Sequence, residues 1–305
     1  MRPAHLALAV LVAAIWGLNF VVIEVGLDDF PPLLLSSLRY MLASLPILLM
    51  RGGPGVPWKW VFAVGGIIGV VKFSLLFVGM DVGMPAGLAS LVLQVQAFFT
   101  LGFAAVLLRE RPRAAQALGL VLAAAGLALV AEGLGGDATL EGFVLVVLAA
   151  AAWGLGNVAI KRAAPPDPMR FMTWMCLIPP VPLFVLSLSF EGPHAIGSAL
   201  AGIDLGGIAA VAYIAFAATT VGWGLWAYLM RAYSAGTVAP FSLLVPIFGL
   251  GFAALLLGEP LTARVIVAAV LVVSGVFLTQ KAPRISAHFA AIGARIPLRG
   301  ESGAG

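Results

Sequence analysis

Long apolar runs without a charged side chain recur from one end of the chain to the other. They cover residues 6–23, 82–108, 114–131, 142–160, 171–190, 205–230 and 232–258. Each run is near or above the roughly 18 residues that indicate a bilayer-spanning helix. The pattern therefore predicts several membrane-spanning helices.

Nine clusters of charged residues, proline and glycine separate these runs and divide the chain into ten helices. The predicted spans are 4–24, 33–50, 58–79, 85–108, 113–132, 140–161, 169–190, 205–230, 236–257 and 262–280. The fold class that follows is an all-α integral membrane protein with ten transmembrane helices.

The composition agrees with a lipid environment. Hydrophobic residues make up 62% of the 305 residues, charged residues 10%, and the mean hydropathy is +1.10. That is too little polar surface for a water-soluble globule of this size. The first apolar run resembles a signal peptide, but no small-residue cleavage site is followed by a soluble domain, so we interpret it as a retained helix.

The basic residues predict the orientation in the membrane. A net charge of +4 would favour nucleic acid in a soluble protein, but these residues lie in short loops, so no nucleic-acid partner is expected. With the N-terminus inside, fourteen of the seventeen face the cytoplasm: Arg2, Arg51, Lys59, Arg109, Arg111, Arg113, Lys161, Arg162, Arg170, Arg231, Lys281, Arg284, Arg295 and Arg299. We expect a multi-pass protein of a bacterial inner membrane, with both termini cytoplasmic.

Little in the sequence favours a metal or a cofactor. The single cysteine, Cys176, lies inside an apolar run, and the three histidines, His5, His194 and His288, have no ligand spacing. No phosphate-binding GxxxxGK[ST] stretch is present. We therefore expect neither a cofactor nor a metal.

The two halves of the chain resemble each other. AIWGL at 14–18 matches AAWGL at 151–155, and GFAAVLLRE at 102–110 matches GFAALLLGE at 251–259. This predicts a first repeat at 1–135, a second at 136–281 and a cytoplasmic tail at 282–305. Five helices per repeat give the two repeats opposite orientations, an arrangement typical of secondary transporters that work by alternating access. The alternative is a duplication retained only for folding.

Four longer stretches resemble a known family: WGLNFVVIEVGL at 16–27, PPLLLSSLRY at 31–40, GMPAGLASLVLQVQAFFT at 83–100 and PFSLLVPIFGLGFAALLLGEPLT at 240–262. The chain resembles the EamA type of the drug/metabolite transporter superfamily over nearly its whole length, and within it the bacterial exporters of O-acetylserine and cysteine or of aromatic amino acids. The resemblance implies two inverted five-helix repeats around a central cavity and export without ATP. One departure is Ala97, where the family repeat often has proline; it predicts that helix four is straighter than helix nine, which keeps Pro246.

Aromatic and amide side chains are the first candidates for the cavity wall. Trp16 and Asn19 share one face of helix one, and Trp153 and Asn157 share one face of helix six. An indole beside an amide provides a stacking surface with a donor and an acceptor. The alternative is that they only hold neighbouring helices together. Trp223, in an aromatic set on helix eight, is a further candidate, although such residues also mark the membrane interface.

Polar residues inside other helices are the second group. Gln94 and Gln96 are two residues apart, hence on opposite faces of helix four, and we assign Gln96 to the cavity. Lys72 and Arg39 lie well inside their helices, where an unpaired charge is costly. For Lys72 a substrate carboxylate or a structural ion pair fits equally; for Arg39 we favour an ion pair with Glu24 or Asp81, or snorkelling.

Three prolines, Pro179 and Pro180 in helix seven and Pro246 in helix nine, are predicted hinges, because proline frees backbone carbonyls; packing is the alternative.

The function predicted from these features is export of amino acids or similar small zwitterions by rocking of the two repeats. Export of another metabolite or a drug is the alternative. A membrane enzyme acting on lipid intermediates would need clustered acids, histidines or serines near one face, whereas the acids here look dispersed. A channel would need polar rings at one depth, which are not evident. Facilitated diffusion and proton antiport stay equally open.

Overall fold

The computed structural model describes residues 1–110, 114–135 and 138–293, with only the backbone for Ala235 and 281–293. Within these ranges ten helices are long and apolar enough to cross a membrane. They are α1 (Pro3–Asp29), α2 (Pro32–Leu49), α3 (Trp58–Asp81), α4 (Ala86–Leu107), α5 (Ala114–Glu132), α6 (Leu140–Ala163), α7 (Pro168–Phe190), α8 (Leu205–Ala232), α9 (Gly236–Leu257) and α10 (Ala263–Gln280). The predicted all-helical membrane fold is confirmed.

The boundaries differ from the predicted ones mainly where acidic residues were taken as breaks. α1 was expected to end at residue 24 but continues to Asp29, and the chain becomes extended only at Phe30, before Pro31 and Pro32. Proline disfavours a helical conformation in the residue before it, so the prolines, not the charges, end α1.

Beyond its span, α10 continues as helix to Gly293, so the backbone of half the predicted tail extends the last helix. Residues 294–305 lie outside the described residues, as do four of the basic residues used to predict orientation: Arg111, Arg113, Arg295 and Arg299.

The two halves make matching helix contacts. A Cβ atom added to Gly17 of α1 would lie 2.5 Å from Phe248 Cβ of α9, and one added to Gly154 of α6 would lie 2.7 Å from Phe99 Cβ of α4. Phe99 and Phe248 occupy equivalent positions in the two halves. They are 149 positions apart, and so are the two GFAA stretches, which begin at residues 102 and 251. Small residues thus let α1 approach α9 and α6 approach α4 in the same way.

This contact predicts the cost of a single methyl group. Gly154→Ala is expected to destabilise the protein by about 1–3 kcal/mol because the Phe99 backbone cannot move away. Gly102→Ala is the matched control, since a Cβ there would meet nothing within 4 Å. Thermal unfolding in detergent measures both; equal melting temperatures for the two variants would contradict the close approach.

Several helices that surround the centre depart from regular α-helix, among them α3, α8 and α4. α3 contains a π-helical segment at Gly65–Lys72, and α8 contains one at Tyr213–Val221. α4 tightens to 3-10 helix at Leu93–Val95. Such irregular turns rotate the following side chains relative to a regular helix, and π segments often occur at functional sites.

α4 was expected to be straighter than α9 because it lacks the proline, yet it too contains an irregular turn. α9 tightens to 3-10 helix at Ala239–Leu243 before Pro246, and α4 tightens at the equivalent level without any proline. The α4 turn coincides with a tertiary hydrogen bond in which Gln94 Nε2 donates to the Ser242 carbonyl of α9, at 3.1 Å. In α4, which has no proline at this level, the 3-10 turn is thus accompanied by a hydrogen bond to α9.

Candidate functional site

A cavity of about 280 Å³ lies at the centre of the bundle. All seven residues predicted to bind substrate line it: Trp16, Asn19, Lys72, Gln96, Trp153, Asn157 and Trp223. Its wall comes from α1, α3, α4, α6, α8 and α9, as expected, and also from α2 through Arg39. The structure therefore brings the predicted residues together, although they come from five different helices.

One side of the cavity is aromatic. The Trp16 ring lies 5.3 Å from the centroids of both Trp223 and Trp226. The Trp16 indole N–H donates to the Ala218 carbonyl at 2.9 Å, within the π-helical segment of α8. This bond fixes the indole, and the three rings form a rigid apolar surface suited to the carbon skeleton of a small solute.

Two buried cations line the same cavity. Lys72 is 4% exposed, and its Nζ lies 3.3 Å from the centroid of the Phe73 ring and 4.6 Å from that of Trp153. Arg39 is 3% exposed, and its guanidinium carbon lies 3.9 Å from the same Phe73 ring. The aromatic faces offset part of the cost of burying the charges but do not neutralise them.

The predicted ion pair of Arg39 or Lys72 with Glu24 or Asp81 is wrong. In the described part of the chain, the salt bridge that forms is Lys161–Glu110. Nine residues of helix separate Lys72 from Asp81, which is about 13 Å along the axis. The acids lie too close to the ends of their helices to reach the cations.

Arg39 is anchored on one edge only. Its Nε and Nη2 donate to Thr219 Oγ1 at 3.1 and 3.0 Å, and Thr219 in turn donates to the Ile214 carbonyl, five residues back, within the π segment. Its Nη1 is buried without a partner among the described residues. The sequence favoured a structural role for Arg39, and its bonds to Thr219 are of that kind, but a partner on a π turn and an unpaired Nη1 were not predicted.

Amide side chains also line the cavity. Asn157 Nδ2 donates to Gln96 Oε1 at 2.8 Å and to Thr100 Oγ1 at 3.0 Å, which joins α6 to α4. Asn19 behaves differently: its Oδ1 is buried without a partner among the described residues. A buried acceptor left unpaired is costly, so Asn19 is a lining residue whose hydrogen-bonding capacity the protein leaves partly unused.

The prediction that Gln94 and Gln96 cannot line the same cavity is wrong. Side chains two residues apart point about 160° away from each other in an α-helix, but only about 120° away from each other in a 3-10 helix. The 3-10 turn at Leu93–Val95 therefore brings both amides to the cavity. Gln94 also donates to the carbonyl of Ser242, which lacks its α-helical donor because Pro246, four residues later, has no N–H.

The predicted hinge prolines lie at breaks or next to them. α7 is interrupted after Met175 and resumes at Pro180, so Pro179 and Pro180 form the junction. Pro246 lies three residues after the end of the 3-10 turn of α9. A Cβ on Gly69 of α3 would overlap the Pro179 ring, which places the α7 break against the helix that carries Lys72.

The helix bundle has two ends. The end at which α1 begins is called the terminal face, and the end at which α1 finishes is called the far face.

At the far face, a depression of about 830 Å³ is lined by Glu24, Asp28, Glu259 and Arg264. The acids expected to be dispersed are thus partly gathered, because three connections meet there. In the described residues no three His, Cys, Asp or Glu side chains are placed to hold a metal ion.

Comparison with known proteins agrees with this architecture. The EamA-like transporter family matches residues 4–131 and again 140–280. A relative from Escherichia coli K12, named probable amino-acid metabolite efflux pump, is 43% identical over 277 residues, which cover 89% of this chain and 93% of the relative. An uncharacterized transporter from Archaeoglobus fulgidus is 27% identical over 89% of this chain and 96% of its own length.

A solved structure titled only as the crystal structure of a protein superposes with a TM-score of 0.64. It covers 94% of this chain and 99% of its own, at 19% identity, and supports the fold alone. The two family matches, the ten membrane-spanning helices and the 43% identical relative agree: this multi-pass membrane protein belongs to the EamA-like transporter family.

Proposed function

We propose that this protein exports amino-acid metabolites across a bacterial inner membrane by alternating access. The observation that carries the proposal is that two buried cations, Lys72 and Arg39, line the same central cavity as four indole rings. A cavity with unpaired cations and an aromatic wall is suited to a carboxylate attached to a small carbon skeleton. The name of the 43% identical relative points to the same class of cargo.

Each part of an amino-acid metabolite has a partner in the cavity. The carboxylate binds Lys72 Nζ and the unpaired Arg39 Nη1, because charge-assisted hydrogen bonds are the strongest available there. The nitrogen of the metabolite donates to the unpaired Oδ1 of Asn19. The apolar part packs on Trp16, Trp223 and Trp226, while Gln96, Trp153 and Asn157 complete the wall.

Charge balance narrows the class further. Two cations and no carboxylate are among the residues that line the described cavity. A zwitterion brings one negative and one positive charge, so it leaves the cavity as positive as before. A metabolite with a carboxylate and an uncharged N–H, such as an N-acylated amino acid, cancels one charge and still donates to Asn19, so it is the preferred cargo.

The size of the cavity favours one small molecule. Sites for drug-sized ligands usually measure about 300–1,000 Å³. A volume of about 280 Å³ supports a single amino-acid derivative over a bulky drug.

The orientation and the moving parts belong to the same proposal. Basic residues concentrate in connections at the terminal face, so this face is cytoplasmic and both termini lie inside. The breaks at Pro179 and Pro180 in α7 and at Pro246 in α9 act as the hinges about which the repeats rock. Carriage through the membrane, and not catalysis or a continuous channel, follows from a site at the bundle centre between inverted repeats.

Transport assays in proteoliposomes test the function directly. Fluxes of radiolabelled free amino acids and of their N-acetyl derivatives are compared, with and without an imposed pH gradient. We expect saturable flux, with KM about tenfold lower for the N-acetyl member of a pair. Absence of flux for every member, in folded protein, would overturn the proposal; equal KM values within pairs would overturn only the charge preference.

A further inference from the structure

At the far face, the connection after α9 binds the start of α4. The N–H of Gly87, in the first turn of α4, donates to both carboxylate oxygens of Glu259, at 3.1 Å to Oε2 and 3.3 Å to Oε1. A carboxylate at a helix N-terminus satisfies free backbone donors and the helix dipole. Burial raises the pKa of the Glu259 carboxyl, and the N–H groups of Gly87 and Ala86 act to lower it.

The equivalent connection at the terminal face has the same backbone. Glu110 follows α4 as Glu259 follows α9, and the two are 149 positions apart. Arg109 and Gly258, just before them, both have left-handed backbones, with φ of 57° and 72°. The N–H of each glutamate also donates to the alanine carbonyl six residues back, at 3.3 Å in both loops.

The helix start that corresponds to Gly87 is Gly236, because it too lies 149 positions further on. Both glycines follow an alanine in the first turn of their helices, α4 and α9. If the inverted repeats exchange conformations, the contact Glu259–Gly87 at the far face is replaced by Glu110–Gly236 at the terminal face.

In the present state Glu110 is bound elsewhere. Its Oε1 lies 2.5 Å from Nζ of Lys161 at the end of α6, with the two side chains 47% and 60% exposed. The position of α1 equivalent to Lys161, when the WGL stretches are aligned, is Glu24, whose carboxylate repels Glu259. Glu110 is therefore held by the end of α6, whereas the equivalent position of α1 carries a like charge that gives Glu259 no ion pair.

We propose that Glu259 and Glu110 are alternating gate residues: Glu259 closes the far face by capping α4, and Glu110 closes the terminal face by capping α9 after leaving Lys161. The proposal rests on alternating access in the proposed function, but not on the identity of the cargo. Lys161 then determines what fraction of the molecules has a closed terminal face in the absence of substrate, because its ion pair with Glu110 must break before that face closes.

Distances between spin labels test the gates without any substrate. In a Cys176→Ser background, labels at Leu88 and Leu257 report on the far face, and labels at Leu108 and Thr237 report on the terminal face; the two pairs occupy equivalent positions in the repeats. Glu259→Ala is expected to lengthen the first distance and shorten the second, with a change of about tenfold in the ratio of the two populations. Glu132→Ala, an exposed acid at the far face, is the control and leaves the ratio unchanged.

The Lys161 variants separate a gate from a simple ion pair. Lys161→Ala is expected to increase the population with a closed terminal face about fivefold, and adding Glu110→Ala is expected to cancel that increase. If Glu110 acts only through Lys161, the two single variants behave alike, and the gate proposal is overturned. If every variant shows a single population of label distances, alternating access itself is contradicted. If two populations are present but their ratio does not change when Glu259 or Glu110 is replaced, only the gate proposal is overturned.

Discussion

Lys72→Met is expected to fold, to melt at a higher temperature than the wild type, and to lose about a hundredfold in kcat/KM for transport. The Lys72 ammonium is almost fully buried against Phe73 and Trp153 without a carboxylate partner among the described residues that line the cavity. Removing an unpaired buried charge relieves a desolvation cost of about 3 kcal/mol, so stability rises. Removing the partner of the substrate carboxylate lowers flux.

A loss of flux together with a higher melting temperature distinguishes a substrate-binding role of Lys72 from a structural role. A structural lysine would lower both flux and melting temperature when replaced. Lys59→Met, at the exposed start of the same helix, is the control and is expected to leave both unchanged. Flux in proteoliposomes and thermal unfolding in detergent provide the two measurements, and wild-type kcat/KM in the Lys72→Met protein would exclude Lys72 from the site.

Trp153→Ala combined with Gln96→Ala is expected to abolish transport while the protein stays folded. Trp153 contributes an aromatic face to the cavity, and Gln96 contributes an amide. Gln96→Ala also removes an acceptor of Asn157 Nδ2, which keeps its 3.0 Å bond to Thr100 Oγ1, so we expect a loss of only about 1 kcal/mol in stability.

Both single variants are measured alongside the double variant, because the effects of substitutions at neighbouring residues do not simply add. Trp58→Ala is the control, since this half-exposed indole packs on Trp174, outside the residues that line the cavity. Unchanged flux in the folded double variant would show that this wall of the cavity does not contact the cargo.

The fold could be predicted because the signals that determine it are local. Runs of apolar residues and their interruptions gave all ten helices; among the membrane spans the largest error is at the end of α1, where Pro31 mattered more than the acids. The pairing of Trp16 with Asn19, and of Trp153 with Asn157, followed from regular helical spacing. Regular spacing holds there, since α1 and α6 are uninterrupted through these residues.

The errors concern residues whose orientation depends on irregular turns. Gln94 was turned away from the cavity on the assumption of regular helix, whereas the 3-10 turn at Leu93–Val95 brings it in. Arg39 was given an acidic partner, whereas its partner is Thr219, which lies 180 positions away in a π segment. Local sequence does not encode such turns when they depend on contacts between distant helices.

The unpaired cations bear on how export is powered. In a cell that is negative inside, a cargo with one net negative charge is pushed outward by the membrane voltage itself. That push is worth about 2.3 kcal/mol per 100 mV, or roughly a fiftyfold concentration ratio. A cavity that selects anions through Lys72 and Arg39 would therefore let the cell's own voltage expel the cargo, with no proton relay required.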